Sequence, residues 1–325
     1  MYDWRRMSLK KIKNPEIFQG NLNKKHYFEG WYFKHVTKDA DHTIAFIPGI
    51  STHGSDQHCF VQVLISPDIK TYYFKYPMHD FKSQDDPFSV TIGDSVFTMQ
   101  GCKVSLKQES EQGIKITGEI GYSDITPIQS TPLTPNIMGY FAYIPNMECN
   151  HGVLSMNHNL HGSVQINDEI VLDFADGRGY IEKDWGTSFP SDYIWIQSNH
   201  FENDNCSFMC SIATIPFGLF SFRGLIANLI VDDVEYRFAT YNNTKIKQYH
   251  IEKNRFSFEL VKGNTSLTCE AILNEVGDLI APELGGMQRT IKEGQGGEVT
   301  LTLKREGQLP LTLKSVYASI EMVGE

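Results

Sequence analysis

The chain has 325 residues and a formal net charge of −10, from 29 basic and 39 acidic side chains. With no Lys/Arg-rich run beyond the stretch from Arg5-Arg6 to Lys13, that balance argues against a nucleic-acid partner. The length exceeds one average core and fits two domains or one large β domain, two halves being the expectation.

In chain order, Met1-Tyr2-Asp3-Trp4-Arg5-Arg6 runs straight into charged residues with no apolar segment, so no signal peptide is expected and the cytoplasm is the expected location. Segments that alternate apolar and polar residues follow, such as Phe60 to Ile65, Lys115 to Ile120 and Phe256 to Val261. A period of two predicts strands. Turn signals fall between them at Ser66-Pro67-Asp68, Asp85-Asp86-Pro87, Gly93-Asp94, Asn167-Asp168, Asp232-Asp233, Asn242-Asn243 and Gly296-Gly297. No window sustains a helical period, and the predicted fold class is all-β.

Prolines at 127, 132, 135 and 145 block regular pairing and predict a connection between halves. The boundary is therefore expected near residue 150, with an N-terminal β domain over 1–150 and a C-terminal one over 151–325. The longest apolar stretch, Ile215 to Val231, is broken by Pro216, Gly218, Arg223, Gly224 and Asn228. It predicts two strands and a turn rather than a membrane helix. Six scattered cysteines without a CxxC pair are expected to be reduced thiols.

Two segments about 150 residues apart echo each other: Tyr27-Phe28-Glu29-Gly30-Trp31-Tyr32-Phe33-Lys34 and Tyr180-Ile181-Glu182-Lys183-Asp184-Trp185. Each sets a carboxylate close before a tryptophan, and a desolvated carboxylic acid can keep its proton at neutral pH. On a strand, Tyr27, Glu29, Trp31 and Phe33 share one face. Tyr180, Glu182 and Asp184 share a face, and Ile181, Lys183 and Trp185 the other. Glu29, Glu182 and Asp184 are thus candidate general acids, the alternative being carboxylates paired structurally with Arg178 or Lys183.

His151, His158 and His161 are weighed as metal ligands and read instead as a solvated ladder, so no metal is expected. No nucleophile elbow, phosphate loop or dinucleotide fingerprint occurs.

The first motif, Phe46-Ile47-Pro48-Gly49-Ile50, Ile137-Met138-Gly139-Tyr140-Phe141, Met147-Glu148-Cys149, Gly177 to Gly186 running on to Trp195-Ile196-Gln197, and Ala281 to Met287 together resemble the tocopherol cyclase family. The resemblance spans almost the whole chain in order. It implies a two-domain, lipocalin-like β fold, shared at greater distance with carotenoid 1,2-hydratases. It also implies protonation of a prenyl double bond and capture of the cation by a phenol oxygen or by water, without metal or organic cofactor.

The expectation is an enzyme with Glu29, Glu182 and Asp184 as acid candidates. Tyr27, Trp31, Phe33, Trp185 and Trp195 would shape the pocket, and Gln197 and His200 would orient the polar head. Phe217 to Phe222 would touch a membrane surface to admit the substrate. The alternative is a lipocalin-like carrier that binds a hydrophobic small molecule without turnover.

Overall fold

A computed structural model describes residues 9–108, 113–203, 205–217 and 220–324, apart from the side chains of Phe217 and Val316. The charged opening Met1 to Arg6, on which the signal-peptide expectation rests, lies outside the described residues. A short helix, α1 (Leu9–Lys13), comes first.

Four strands then form a meander: β1 (Phe28–Val36), β2 (Thr43–Ser51), β3 (His58–Ser66) and β4 (Lys70–Pro77). Five more form a second meander: β5 (Phe81–Asp85), β6 (Phe88–Ile92), β7 (Ser95–Thr98), β8 (Gly101–Lys107) and β9 (Lys115–Thr126). After an irregular stretch come β10 (Cys149–Ile166), β11 (Ile170–Asp173) and β12 (Arg178–Gly186). Among the described residues these make a 12-stranded antiparallel sheet, ordered β4-β3-β2-β1-β12-β10-β9-β8-β7-β6-β5, with β11 on β10. Its end strands β4 and β5 are joined by a single 3-10 turn, Met78–Asp80, and the sheet is nearly closed as a barrel.

A second sheet of 10 strands contains β13 (Tyr193–Ser198), β14 (Cys206–Phe217), β15 (Phe220–Val231), β16 (Val234–Ala239) and β17 (Lys245–Glu252). It is completed by β18 (Arg255–Lys262), β19 (Thr265–Ile272), β20 (Val276–Glu283), β21 (Gly286–Arg305) and β22 (Leu311–Val323). Its order is β16-β15-β14-β13-β22-β21-β19-β18-β17, with β20 on β21. The all-β expectation holds, because strand alternation and turn chemistry agree along the chain. Gly296-Gly297 is the exception among the turns. It lies inside β21, where the register against β22 shifts and Gly296 has φ +71, so it makes a bulge.

The chain divides into two compact units, Met1–Phe189 with Ile280–Arg289, and Pro190–Leu279 with Thr290–Glu325. The division falls well past the boundary expected near residue 150. Prolines 127 to 145 do interrupt pairing, but the chain then returns to the same sheet: Gly162 of β10 lies opposite Ile120 of β9, and β12 inserts between β10 and β1. The prolines mark an excursion within the first unit.

Each unit buries its own apolar core. Trp31, Phe33, Phe46, Phe97, Ile120 and Ile181 belong to the first, and Ile194, Ile196, Phe208, Leu229, Phe258 and Leu301 to the second. Each such side chain contributes about 1.5–3 kcal/mol of burial, so both interiors are packed cores.

The motif Ala281 to Met287 belongs to the first unit. Ser51 Oγ donates to the Gly285 carbonyl at 2.8 Å, and the Leu284 amide donates to Ser188 Oγ at 2.9 Å. Gly285 has φ +79, and a Cβ there would lie 2.2 Å from the carbonyl carbon of His26. Gly285→Ala is therefore expected to cost at least about 2 kcal/mol. A urea titration checks this, and an unchanged midpoint would show that the site has room to relax.

Candidate active site

The two echoing motifs are neighbours. In the β1–β12 pair, Glu29 lies opposite Trp185, Trp31 opposite Lys183 and Tyr32 opposite Glu182. The echo is therefore one strand pair within the first unit and not a repeat at the head of two halves. The parity reading holds. Tyr27, Trp31, Phe33, Ile181 and Trp185 belong to the core on one face, while Tyr180 and Glu182 hydrogen-bond on the other.

On the core face, Glu29 and Lys183 are fully buried and paired, with Nζ 2.5 Å from Oε1. Glu29 also accepts the amides of Gln19 at 2.8 Å and Gly20 at 3.0 Å and the hydroxyl of Tyr27. Four donors converge on two oxygens, the pattern of an acceptor-only carboxylate. Lys183 further donates to the carbonyls of Pro15 at 2.9 Å and Ile17 at 2.5 Å, and lies 4.4 Å from the Trp31 ring centroid. Burial lowers its pKa to about 8 against the pull of Glu29. Tyr27, Trp31 and Phe33 are core residues, and half-buried Trp185 packs against them. The partner of Glu29 is thus Lys183 from the second motif, not Arg178.

On the opposite face a second cluster forms. His151 of β10 stands across from Asp184 of β12, its Nδ1 2.9 Å from Oδ1. Its Nε2 contacts Glu182 Oε2 at 3.3 Å, off the hydrogen-bonding axis. Tyr180 OH donates to the same Glu182 oxygen at 2.6 Å, and Cys149 Sγ lies 3.8 Å from Asp184 Oδ1. Burial opposes charge on the His151 ring, but the Asp184 and Glu182 carboxylates outweigh it and hold its pKa well above 6.5. Burial and the neighbouring carboxylates push the Tyr180 hydroxyl and the Cys149 thiol far up, so both stay protonated.

The reading of the histidines as a solvated ladder is corrected for His151 and His158, whereas His161 is exposed as expected. His151 and His158 are buried, and register shifts in β10 between Val153 and His158 intervene. His151, Glu182 and Asp184 offer three ligand atoms within 4.8 Å of one another and could hold a cation. Both imidazole nitrogens already face carboxylates, however, which suits a shared proton. Sequence reasoning weighed His151 only as a ligand. The signal that singles it out is its cross-strand register with Asp184, which no local pattern contains.

His158 and His35 lie in the first unit's interior. His35 Nδ1 donates to the Ile44 carbonyl at 3.1 Å, and its Nε2 accepts from Tyr122 OH at 2.7 Å. His158 Nδ1 bonds Ser155 Oγ at 3.0 Å. Burial lowers both pKa values to about 3. The unfolded chain protonates them near 6.5, so it takes up protons first and stability falls with pH across that interval, by about 1.4 kcal/mol per unit for each ring. Urea midpoints measured from about pH 6.5 down to about pH 4 should show the fall. A flat profile would mean that both rings accept charge inside the fold.

The remaining candidates lie in the second unit. Trp195 and Gln197 alternate with the core residues Ile194 and Ile196, so they occupy the other face of β13, where both are buried. His200 is half-buried, with Nδ1 2.9 Å from Asn199 Oδ1. Of the segment proposed to meet a membrane, the Phe217 side chain and residues 218–219 lie outside the described residues, and Phe220 is exposed. β14 and β15 flank it as two strands. Among the described residues no helix is long and apolar enough to cross a membrane.

Two large antiparallel sheets, with a buried imidazole between two carboxylates on the first, define an all-β, lipocalin-like protein carrying an acid–base cluster. The chain belongs to the tocopherol cyclase-like family, whose model matches residues 25–324. No curated protein matches its sequence. Among solved structures it is similar to CghA, with TM-score 0.58, 9% identity and coverage of 91% of this chain and 88% of that one. The complex of CghA with Sch210972 gives TM-score 0.55 at the same identity and coverage. Kievitone hydratase from Nectria haematococca gives TM-score 0.50, 11% identity, and coverage of 91% and 88%. At these identities the likeness is one of fold.

Proposed function

We propose that the protein is an acid-catalysed cyclase or hydratase acting on an olefin in a hydrophobic, prenyl-type substrate. The observation that carries this reading is His151 held between Asp184 and Glu182, whose carboxylates raise its pKa well above 6.5. Membership of the tocopherol cyclase-like family and the fold shared with a hydratase support it.

In this reaction the cluster gives its proton to one olefinic carbon, and the other carbon becomes a tertiary cation. The two carboxylates, now without the imidazolium charge, stabilise that cation electrostatically. A phenol hydroxyl of the substrate, or water, forms the C–O bond and returns its proton to the cluster. No electrons are gained or lost, and the catalyst ends as it began. Glu182 and Asp184, expected as proton donors, become in this reading the carboxylates that hold the proton on His151, which is its seat. Glu29, bound on all its hydrogen-bonding sides by the chain itself, reads as structural, and Tyr27, Trp31 and Phe33 as core. Trp195, Gln197 and His200, expected to hold the substrate, belong to the second unit and are given no part in this cluster.

The test is incubation with a prenylated hydroquinone in deuterated water, followed by mass spectrometry. One deuterium per product molecule is expected. Binding without label would sink the catalytic reading and leave a carrier of hydrophobic molecules.

A further inference from the structure

β12 contains three consecutive charged residues, Glu182-Lys183-Asp184, and a strand can turn only one parity toward the core. Lys183 points inward and the two acids point to His151. A one-residue slip would reverse this, setting both acids against Trp31 and Glu29 and taking them from His151. Apolar residues alone decide the choice weakly, since Tyr180 and Ile181 are both buried on opposite faces. What distinguishes the two facings is the receptor for Lys183.

That receptor is Glu29, the carbonyls of Pro15 and Ile17, and the rings of Trp31 and Trp185 at 4.4 and 5.1 Å. The segment Pro15 to Gly20 belongs to no strand, yet side chains satisfy much of its backbone, half-buried Lys11 donating to the Gln19 and Gly20 carbonyls. Lys183 takes the Pro15 and Ile17 carbonyls, Trp31 Nε1 donates to the Glu16 carbonyl at 2.7 Å, and Glu29 accepts from Gln19 and Gly20. Ile17, at 1% exposure, anchors the segment in the core.

We propose that Lys183 is a positioning residue: its pair with Glu29, together with the segment Pro15 to Gly20 that the pair holds, fixes the facing of β12 and aims Glu182 and Asp184 at His151. Buried ion pairs are weak sources of net stability, but they can fix register. The proposal rests on the reading of the His151 cluster as the proton store.

The double variant Glu29→Gln with Lys183→Met tests it. Both charges leave together, so the field at His151 changes little and a shift reports geometry. Two measurements on the full chain without substrate are needed: NMR titration of the His151 ring, and hydrogen exchange over residues 15–20. The expected result is a native circular-dichroism spectrum, exchange over 15–20 faster by at least about tenfold, and a His151 pKa lower by about one unit, a tenfold loss in its charged-to-neutral ratio. An unchanged His151 titration beside faster exchange overturns the proposal, because a merely structural pair would give that. Should the double variant unfold, Trp31→Phe removes the bond to Glu16 without altering charge. Its His151 titration must then move in the same direction, and no movement also overturns the proposal. Since no substrate is present, failure of the deuterium assay would count against the catalytic reading alone.

Discussion

Replacing His151 with glutamine is expected to lower turnover by about 10²–10⁴-fold, the range for removing a positioned acid, while leaving substrate binding near its original strength. Glutamine keeps a hydrogen bond toward Asp184 but cannot carry the proton. The pH profile gives a second signature. The folded pKa of His151 lies well above 6.5, so its proton is held at neutral pH and lost as pH rises through the folded value. Wild-type turnover should therefore fall on the alkaline side, and this limb should vanish in H151Q. The ring's contribution to stability follows the same course, full below the unfolded pKa and lost as pH passes the folded one. Single-turnover label incorporation across pH measures both. A wild-type rate in H151Q would remove the residue from the site, and a loss confined to E182Q would move the proton to the carboxyl group.

Lys183→Met should produce the largest loss of stability, about 3–5 kcal/mol, because it leaves the Glu29 charge buried without its cation. The variant also strips the Pro15 and Ile17 carbonyls of their donor. Glu29→Gln should cost roughly half as much. Lys183, lowered to about 8, can shed its proton near neutrality and need not remain as an unpaired charge. Paired urea titrations decide between the two. Equal losses would show that hydrogen-bond geometry outweighs charge at this pair.

Much of the fold was legible because strands announce themselves through alternation and turns through Asn, Asp, Gly and Pro. Phe60 to Ile65 and Phe256 to Val261 are strands for the reason given, and Ser66-Pro67-Asp68 turns between β3 and β4. What the sequence concealed is non-local. Prolines between 127 and 145 report a break in pairing but not where the chain goes next. Parity placed Glu29 beside Trp31 and set Glu182 apart from Trp185, yet no local rule shows that β1 and β12 are adjacent. That adjacency makes Lys183 the counterion of Glu29. The partners of His151 were hidden for the same reason: its meaning lies in register with Asp184, 33 residues away.

The insertion of β12 between β1 and β10 bears on how the chain is made. β1 is finished by residue 36, but its outer edge has no partner until residues 178–186 have been synthesised. At about 5–20 residues per second that edge waits roughly 7–30 s, with an apolar strand exposed. Native pairing across such a separation also makes closure of the first sheet slow by topology. Refolding yield should therefore fall with protein concentration, and the protection of β1 amides should be among the last to appear.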